Sequence, residues 1–138
     1  MTRLQQALER GEFVVTGEIG PPKGTNVEAC MHEAGLIKDR VVAINVTDNQ
    51  SAVMRLGSLA ASVRLRRMGH EPIYQLTCRD RNRLALQSEI LTAFSLGVDN
   101  MLLLTGDHIA LAEGNYVESV AVDVGLTIEG RCPSLVSL

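Results

Sequence analysis

No tryptophan occurs in this sequence, and phenylalanine and tyrosine contribute two residues each. With aromatics at 3% of 138 residues, a stacking platform for single-stranded nucleic acid is excluded. Cysteine is equally sparse. Cys30, Cys78 and Cys132 lie far apart and form no CxxC pair, so neither a zinc site nor a disulfide framework is expected. No apolar run approaches the roughly 18 residues of a membrane span. The opening MTRLQQALER carries charge along an amphipathic pattern and has no apolar signal core, so a cytoplasmic protein is expected. A net charge of -3 gives no electrostatic case for nucleic acid or an anionic membrane as partner. Apolar residues at 46% and charged residues at 21% are ordinary for a folded domain.

What is abundant is a repeated apolar run. Phe13–Ile19, Val41–Thr47, Ile73–Thr77 and Met101–Thr105 are rich in apolar and β-branched residues. Their markers Val14, Val41, Ile73 and Met101 are 27, 32 and 28 residues apart. A strand, a crossover helix and two turns need about 30 residues, so the spacing predicts tandem βα units. Helical patterns fill the gaps over Val27–Lys38, Ala52–Met68 and Leu84–Leu96. Asn26 and Asn82 stand where N-caps belong, and Gly69 and Gly97 where helices stop. Consecutive apolar residues in each strand run predict an α/β fold with a parallel sheet covered by helices. Pattern alone leaves two architectures open. Four units make a flavodoxin-like open sheet or half of an eight-unit (β/α) barrel, and length favours the open sheet because a full barrel takes about 250 residues. After Asp107 the pattern changes: Glu118–Asp123 alternates like a strand, and Leu126–Leu138 has no clear period.

Chemistry in parallel βα folds gathers just past the strand C-termini. The four places here read Gly17-Glu18-Ile19-Gly20-Pro21-Pro22, Asn45-Val46-Thr47-Asp48-Asn49, Gln75-Leu76-Thr77-Cys78-Arg79-Asp80 and Thr105-Gly106-Asp107-His108. Polar or acidic groups at all four are aimed at one rim. Glu18, at the end of an apolar strand, is expected to be partly desolvated, which suits a general acid; capping or ion pairing is the equally weighted alternative. Gly106 permits close backbone approach, and Asp107 offers an acceptor, although a plain Gly-Asp turn explains both. Asp80 and Asn82 read as turn and cap residues, Arg64, Arg66 and Arg67 as a solvated helix face, and the methionines as core filler.

Four segments together resemble the methylenetetrahydrofolate reductase family: VTGEIGPPKGTN at Val15–Asn26, INVTDNQ at Ile44–Gln50, YQLTCRDRN at Tyr74–Asn82 and LLLTGDH at Leu102–His108. Each alone is weak, but four in order on successive strand ends tip the architecture to the barrel. The likeness is strongest to bacterial and archaeal forms of acetogenic-type one-carbon pathways. It implies the first four units of a TIM barrel over residues 1–108, with 109–138 as a tail, and a chain shorter than the family's full barrel. It further implies FAD at the strand C-terminal rim, NADH or NADPH as electron donor, a folate substrate and no metal. On the same basis Glu18 is the general acid that protonates folate N10, and Asp107 stabilises the resulting iminium ion and lies near the flavin. Thr47, Asp48, Gln75, Thr105, Gly106 and Asp107 are the implied cofactor-binding positions. Two of them depart from the family pattern: Gln75 stands at the histidine of H-L-T-C, and Thr105 at the arginine of R-G-D. The alternative to a reductase is a non-catalytic subunit that completes a barrel with a partner chain or a second copy of itself.

Overall fold

The computed structural model describes residues 1–106. The element order is α1 (Arg3–Glu9), β1 (Thr16–Ile19), α2 (Glu28–Ile37), β2 (Ala43–Val46), α3 (Ser58–Arg67), β3 (Pro72–Thr77), α4 (Arg83–Ser95) and β4 (Asn100–Leu104). A 3-10 turn at Gln50–Ala52 follows β2. The strands pair in parallel in the order β1-β2-β3-β4. That order decides between the two architectures. A flavodoxin-like sheet reverses direction after its first strand, whereas a barrel adds each strand beside the last. The fold is therefore α/β with the sequential parallel units of a partial TIM barrel.

Alternation along each strand sends side chains to two different cores. Ile19, Ile44 and Val46 pack with Met31 and Ala34 of α2 and Ala61 and Leu65 of α3. Tyr74 and Leu76 pack with Leu86 and Ala93 of α4, and α3 adds Leu59 and Val63. Helices α2, α3 and α4 thus share one face. The opposite face holds Ala43, Ile73 and Leu102, covered at the strand N-terminal ends by Leu4 of α1. Glu71, just before β3, fixes α1 there. Its carboxylate accepts from the backbone N–H groups of Arg3 and Leu4 at 2.8 Å each and from Asn100 Nδ2 at 3.0 Å. Those amides belong to the helix's first turn, which has no internal acceptor for them.

The helix ends follow local chemistry. Asn82 accepts from the Ala85 amide at 2.9 Å and caps α4, while Gly69 and Gly97 close α3 and α4 at φ +82° and +77°. Asn26 accepts from the Glu28 amide at 2.9 Å, although Val27 occupies the cap position itself. One expectation fails: helix over Ala52–Met68 begins only at Ser58. Tertiary bonds pull the first six residues away. The Leu56 amide donates to Pro22 O at 2.8 Å, the Arg55 amide to Asn49 Oδ1 at 2.9 Å, and Arg55 Nη1 to Pro21 O at 3.1 Å. Asn49 and Ser51 just before it and Ala52 at its start have positive φ, a conformation that β-carbon-bearing residues resist.

Candidate active site

Glu18 reaches the open face because its neighbour cannot. Gly17 sits against α2, where an added Cβ would lie 2.5 Å from Ile37 Cδ1, so alternation turns Thr16 and Glu18 to the opposite side. Its register partner on β2 is Asn45. The expected desolvation of Glu18 is not found: the residue is exposed. An acid on the outer strand of the described sheet has neighbours on one side only, which the apolar run around it does not reveal.

Thr47 and Asp48, one and two residues past β2, are both buried. Thr47 Oγ1 stands 3.5 Å from both Ile19 O and Gln50 Oε1. Asp48 joins β2 to β3. Its Oδ2 accepts from the Thr77 amide at 2.9 Å and from Thr77 Oγ1 at 2.8 Å, and both carboxylate oxygens take guanidinium protons from Arg81. Burial alone would raise the Asp48 pKa, but the Arg81 hydrogen bond, the Thr77 amide, the Arg81 charge and the Thr77 hydroxyl together hold it below the usual value. Arg81 also donates to Thr77 O at 3.0 Å. Arg79 is buried behind this joint, bonded to Asp80 and, at 3.3 Å, to Asn49 O.

Glu18, Thr47, Asp48, Gln50, Gln75, Thr77, Leu104 and Gly106 line one cleft of about 210 Å³. Five positions singled out in the sequence meet there: Glu18, Thr47, Asp48, Gln75 and Gly106. Thr105 is exposed and does not line it. Asp107, the second proposed acid, lies outside the described residues, as do His108 and the C-terminal stretch. Gly106 has φ +88°, and an added Cβ would sit 3.1 Å from Arg79 Cβ, so glycine is needed for both conformation and space. Gln50 and Arg81 were not singled out from sequence, and Thr77 entered only within a strand-end segment read as structural. Their roles depend on contacts between loops, and Asp48 and Arg81 are 33 residues apart. A larger groove of about 540 Å³ runs between α3 and α4 on the helix-covered face, and of the residues above Arg81 lines it. Among the described residues no group of three histidine, cysteine, aspartate or glutamate residues could hold a metal, and Cys30 and Cys78 are free thiols. No described helix is long and apolar enough to cross a membrane.

A family model for methylenetetrahydrofolate reductase matches residues 3–125. The chain belongs to the methylenetetrahydrofolate reductase family. The matched span runs past His108, where the last recognisable strand-end motif finishes, so family character extends further than the motifs do. No curated protein matches the chain. The described residues of the four motif segments of this methylenetetrahydrofolate reductase family member lie in and just beyond the C-terminal parts of β1 to β4.

Proposed function

We propose that this chain forms the flavin- and folate-facing wall of a reductase that converts 5,10-methylenetetrahydrofolate to 5-methyltetrahydrofolate. The observation that carries this reading is the meeting of Glu18, Thr47, Gln75 and Gly106 in one cleft at the mouth of four parallel strands. FAD, reduced by NADH or NADPH, supplies hydride to the folate methylene carbon. The residues present suit part of such a cofactor. Cavities that enclose a whole drug-sized ligand run to roughly 300–1,000 Å³. At about 210 Å³ this cleft takes one ring system rather than a dinucleotide. Hydroxyl and amide groups lie on its wall with Leu104 among them, a lining that suits a flat heterocycle with polar edges.

Glu18 is placed to give a proton. It stands exposed at the mouth, free of any ion pair among the described residues, where a folate nitrogen can approach it. Protonating N10 opens the methylene bridge to an iminium ion and prepares the carbon for hydride. Asp107, on the same rim by sequence, is proposed to oppose that positive charge. Thr47 and Gln75 are proposed to hold the flavin edge, and Gly106 lets the ring approach the backbone.

Two half-reactions test the reading separately. The purified chain, loaded with FAD, is reduced anaerobically with NADH or NADPH and then reoxidised with methylenetetrahydrofolate. Glu18→Gln should slow reoxidation by about 10²- to 10⁴-fold, the usual worth of a general acid, and leave reduction near the wild-type rate. Equal reoxidation rates in wild type and variant would remove Glu18 from the chemistry. A second reading, a subunit that completes a barrel with a partner or a second copy, is favoured by Phe13, which is 94% exposed beside outer strand β1. Molar mass in solution separates the two.

A further inference from the structure

Three polar side chains cross the open face beneath the cleft, one from each of the first three strands. Asn45 Nδ2 donates to Thr16 Oγ1 at 3.2 Å and to Gly17 O at 3.3 Å. A backbone carbonyl has no proton to give, so the Asn45 NH₂ must be the end that faces β1. Its Oδ1 therefore faces β3, where Gln75 Nε2 approaches to 3.5 Å. Gln75 is 8% exposed and lines the cleft. With its NH₂ turned to Asn45, the other end of the amide, Oε1, accepts no hydrogen bond from any described residue.

The hydroxyl and guanidinium donors around it are already engaged. The Thr77 hydroxyl proton goes to Asp48, the Thr47 hydroxyl is directed at Ile19 O and Gln50 Oε1, and Arg81 is taken up by Asp48 and Thr77. Glu18 adds a further acceptor in its ionised form. A ligand group seated against Gln75 Oε1 must therefore bring its own N–H or O–H, whereas Gln50 Nε2 is left to donate elsewhere on the wall.

We infer that Gln75 is a fixed acceptor for a ring N–H of the bound cofactor, and that Asn45 is the positioning residue that sets its polarity. The inference rests on the flavin reading above. It also gives the glutamine a physical meaning where the family pattern has histidine. An imidazole can present either a donor or an acceptor, whereas this amide, its NH₂ turned to Asn45, offers its oxygen as the free end. Oxidised isoalloxazine has a single ring N–H, at N3, and reduction adds N–H groups at N1 and N5. The acceptor therefore selects for N3–H in the oxidised ring or for a proton gained on reduction.

The experiment compares FAD with its N3-methyl analogue, by affinity, and measures the flavin reduction potential by dye equilibration. It uses wild type, Gln75→Leu, Asn45→Leu and Asn45→Asp, with Gln75→Met as the substitute if Gln75→Leu does not fold. For an N3–H partner, wild type binds the analogue roughly 10-fold more weakly, the effect of leaving one buried acceptor unpaired. Gln75→Leu and Asn45→Leu bring that ratio close to one, while Asn45→Asp, which keeps an oxygen toward Gln75, preserves it. For a proton gained on reduction, the ratio is near one throughout, and the potential falls in Gln75→Leu and Asn45→Leu. Flavin bound with neither ratio nor potential altered in these two variants overturns the inference alone. An Asn45→Asp ratio as flat as that of Asn45→Leu removes the positioning role of Asn45. Failure of wild type to bind either flavin overturns the cofactor reading and this inference with it.

Discussion

Asp48 shows how one side chain can join two loops and shape the cleft between them. Its side chain is fully buried, and among the described residues its charge is matched by Arg81, itself 19% exposed. Removing one partner of a buried pair costs about 3–5 kcal/mol, because the other charge is left without compensation. Asp48→Ala should therefore lower unfolding free energy by an amount of that order in urea titration. The pH dependence follows from the same bonds. Asp48 and Glu71 are both held below their ordinary values of 3.8 and 4.5. For Glu71, burial acts upward and is outweighed by the Leu4 and Arg3 amides and the Asn100 and Arg3 side chains. A carboxyl group with a depressed folded pKa binds fewer protons than its unfolded counterpart. Its contribution is complete above the unfolded value and is lost as pH falls through the lower folded one. The share of stability held by these two carboxylates should thus be constant down to about pH 5 and fall steeply below about pH 4, after a shallower loss below the ordinary histidine value of 6.5 from His70, whose pKa burial lowers. Asp48→Asn should flatten that acid limb, as read by thermal melts across the range. At this scale the sequence was informative about position and poor about partners. Glu18 and Gly106 stood out because they lie at strand ends, whereas Thr47 and Gln75 were marked by the resemblance to the family. The Asp48–Arg81 joint obeys no local spacing, and Glu18's exposure depends on which strand is outermost.

Helix boundaries carry their own signals, and most of them are local. Asn82 holds the Ala85 amide, and Asn82→Ala should cost about 1 kcal/mol, measured by chemical denaturation. Gly97 is more demanding: at φ +77° an added Cβ would lie 2.8 Å from Arg66 Nε, so Gly97→Ala should be worse than Asn82→Ala in the same assay. Both positions were readable because cap and terminator act within a few residues. The start of α3 was not. Val53 and Leu56 continue a helical spacing, yet Arg55 and Leu56 bond to Asn49, Pro21 and Pro22 instead. Those contacts draw Gln50 to the cleft wall. Local periodicity lost to bonds made with the loop after β1.

Across the whole molecule, strand order was the decisive observation, and spacing between apolar runs could not supply it. Runs about 30 residues apart fit both an open sheet and a barrel; the motifs tipped the expectation to the barrel, and the sequential pairing of β1 through β4 decides it. The outer strands of the described sheet bear on association. Apolar side chains beside an open strand edge favour association. Phe13 is 94% exposed and Val15 49% exposed, both leading into β1. Phe13→Ser should change stability by less than about 0.5 kcal/mol, as exposed sites do, while reducing any self-association seen by analytical ultracentrifugation. Unchanged association would direct attention to β4.

The seat of α1 has a consequence for the order in which the chain assembles. This helix is made first, yet Thr2 Oγ1 meets Asn100 Oδ1 98 residues later, and Glu71 holds Arg3 from 68 residues away. Loop closure on that scale must be completed before α1 gains anything from docking. During synthesis it waits for the third and fourth strands, so it is the latest piece to arrive and the earliest to leave. Glu71→Gln should accordingly speed unfolding in stopped-flow measurements and leave the refolding rate nearly constant.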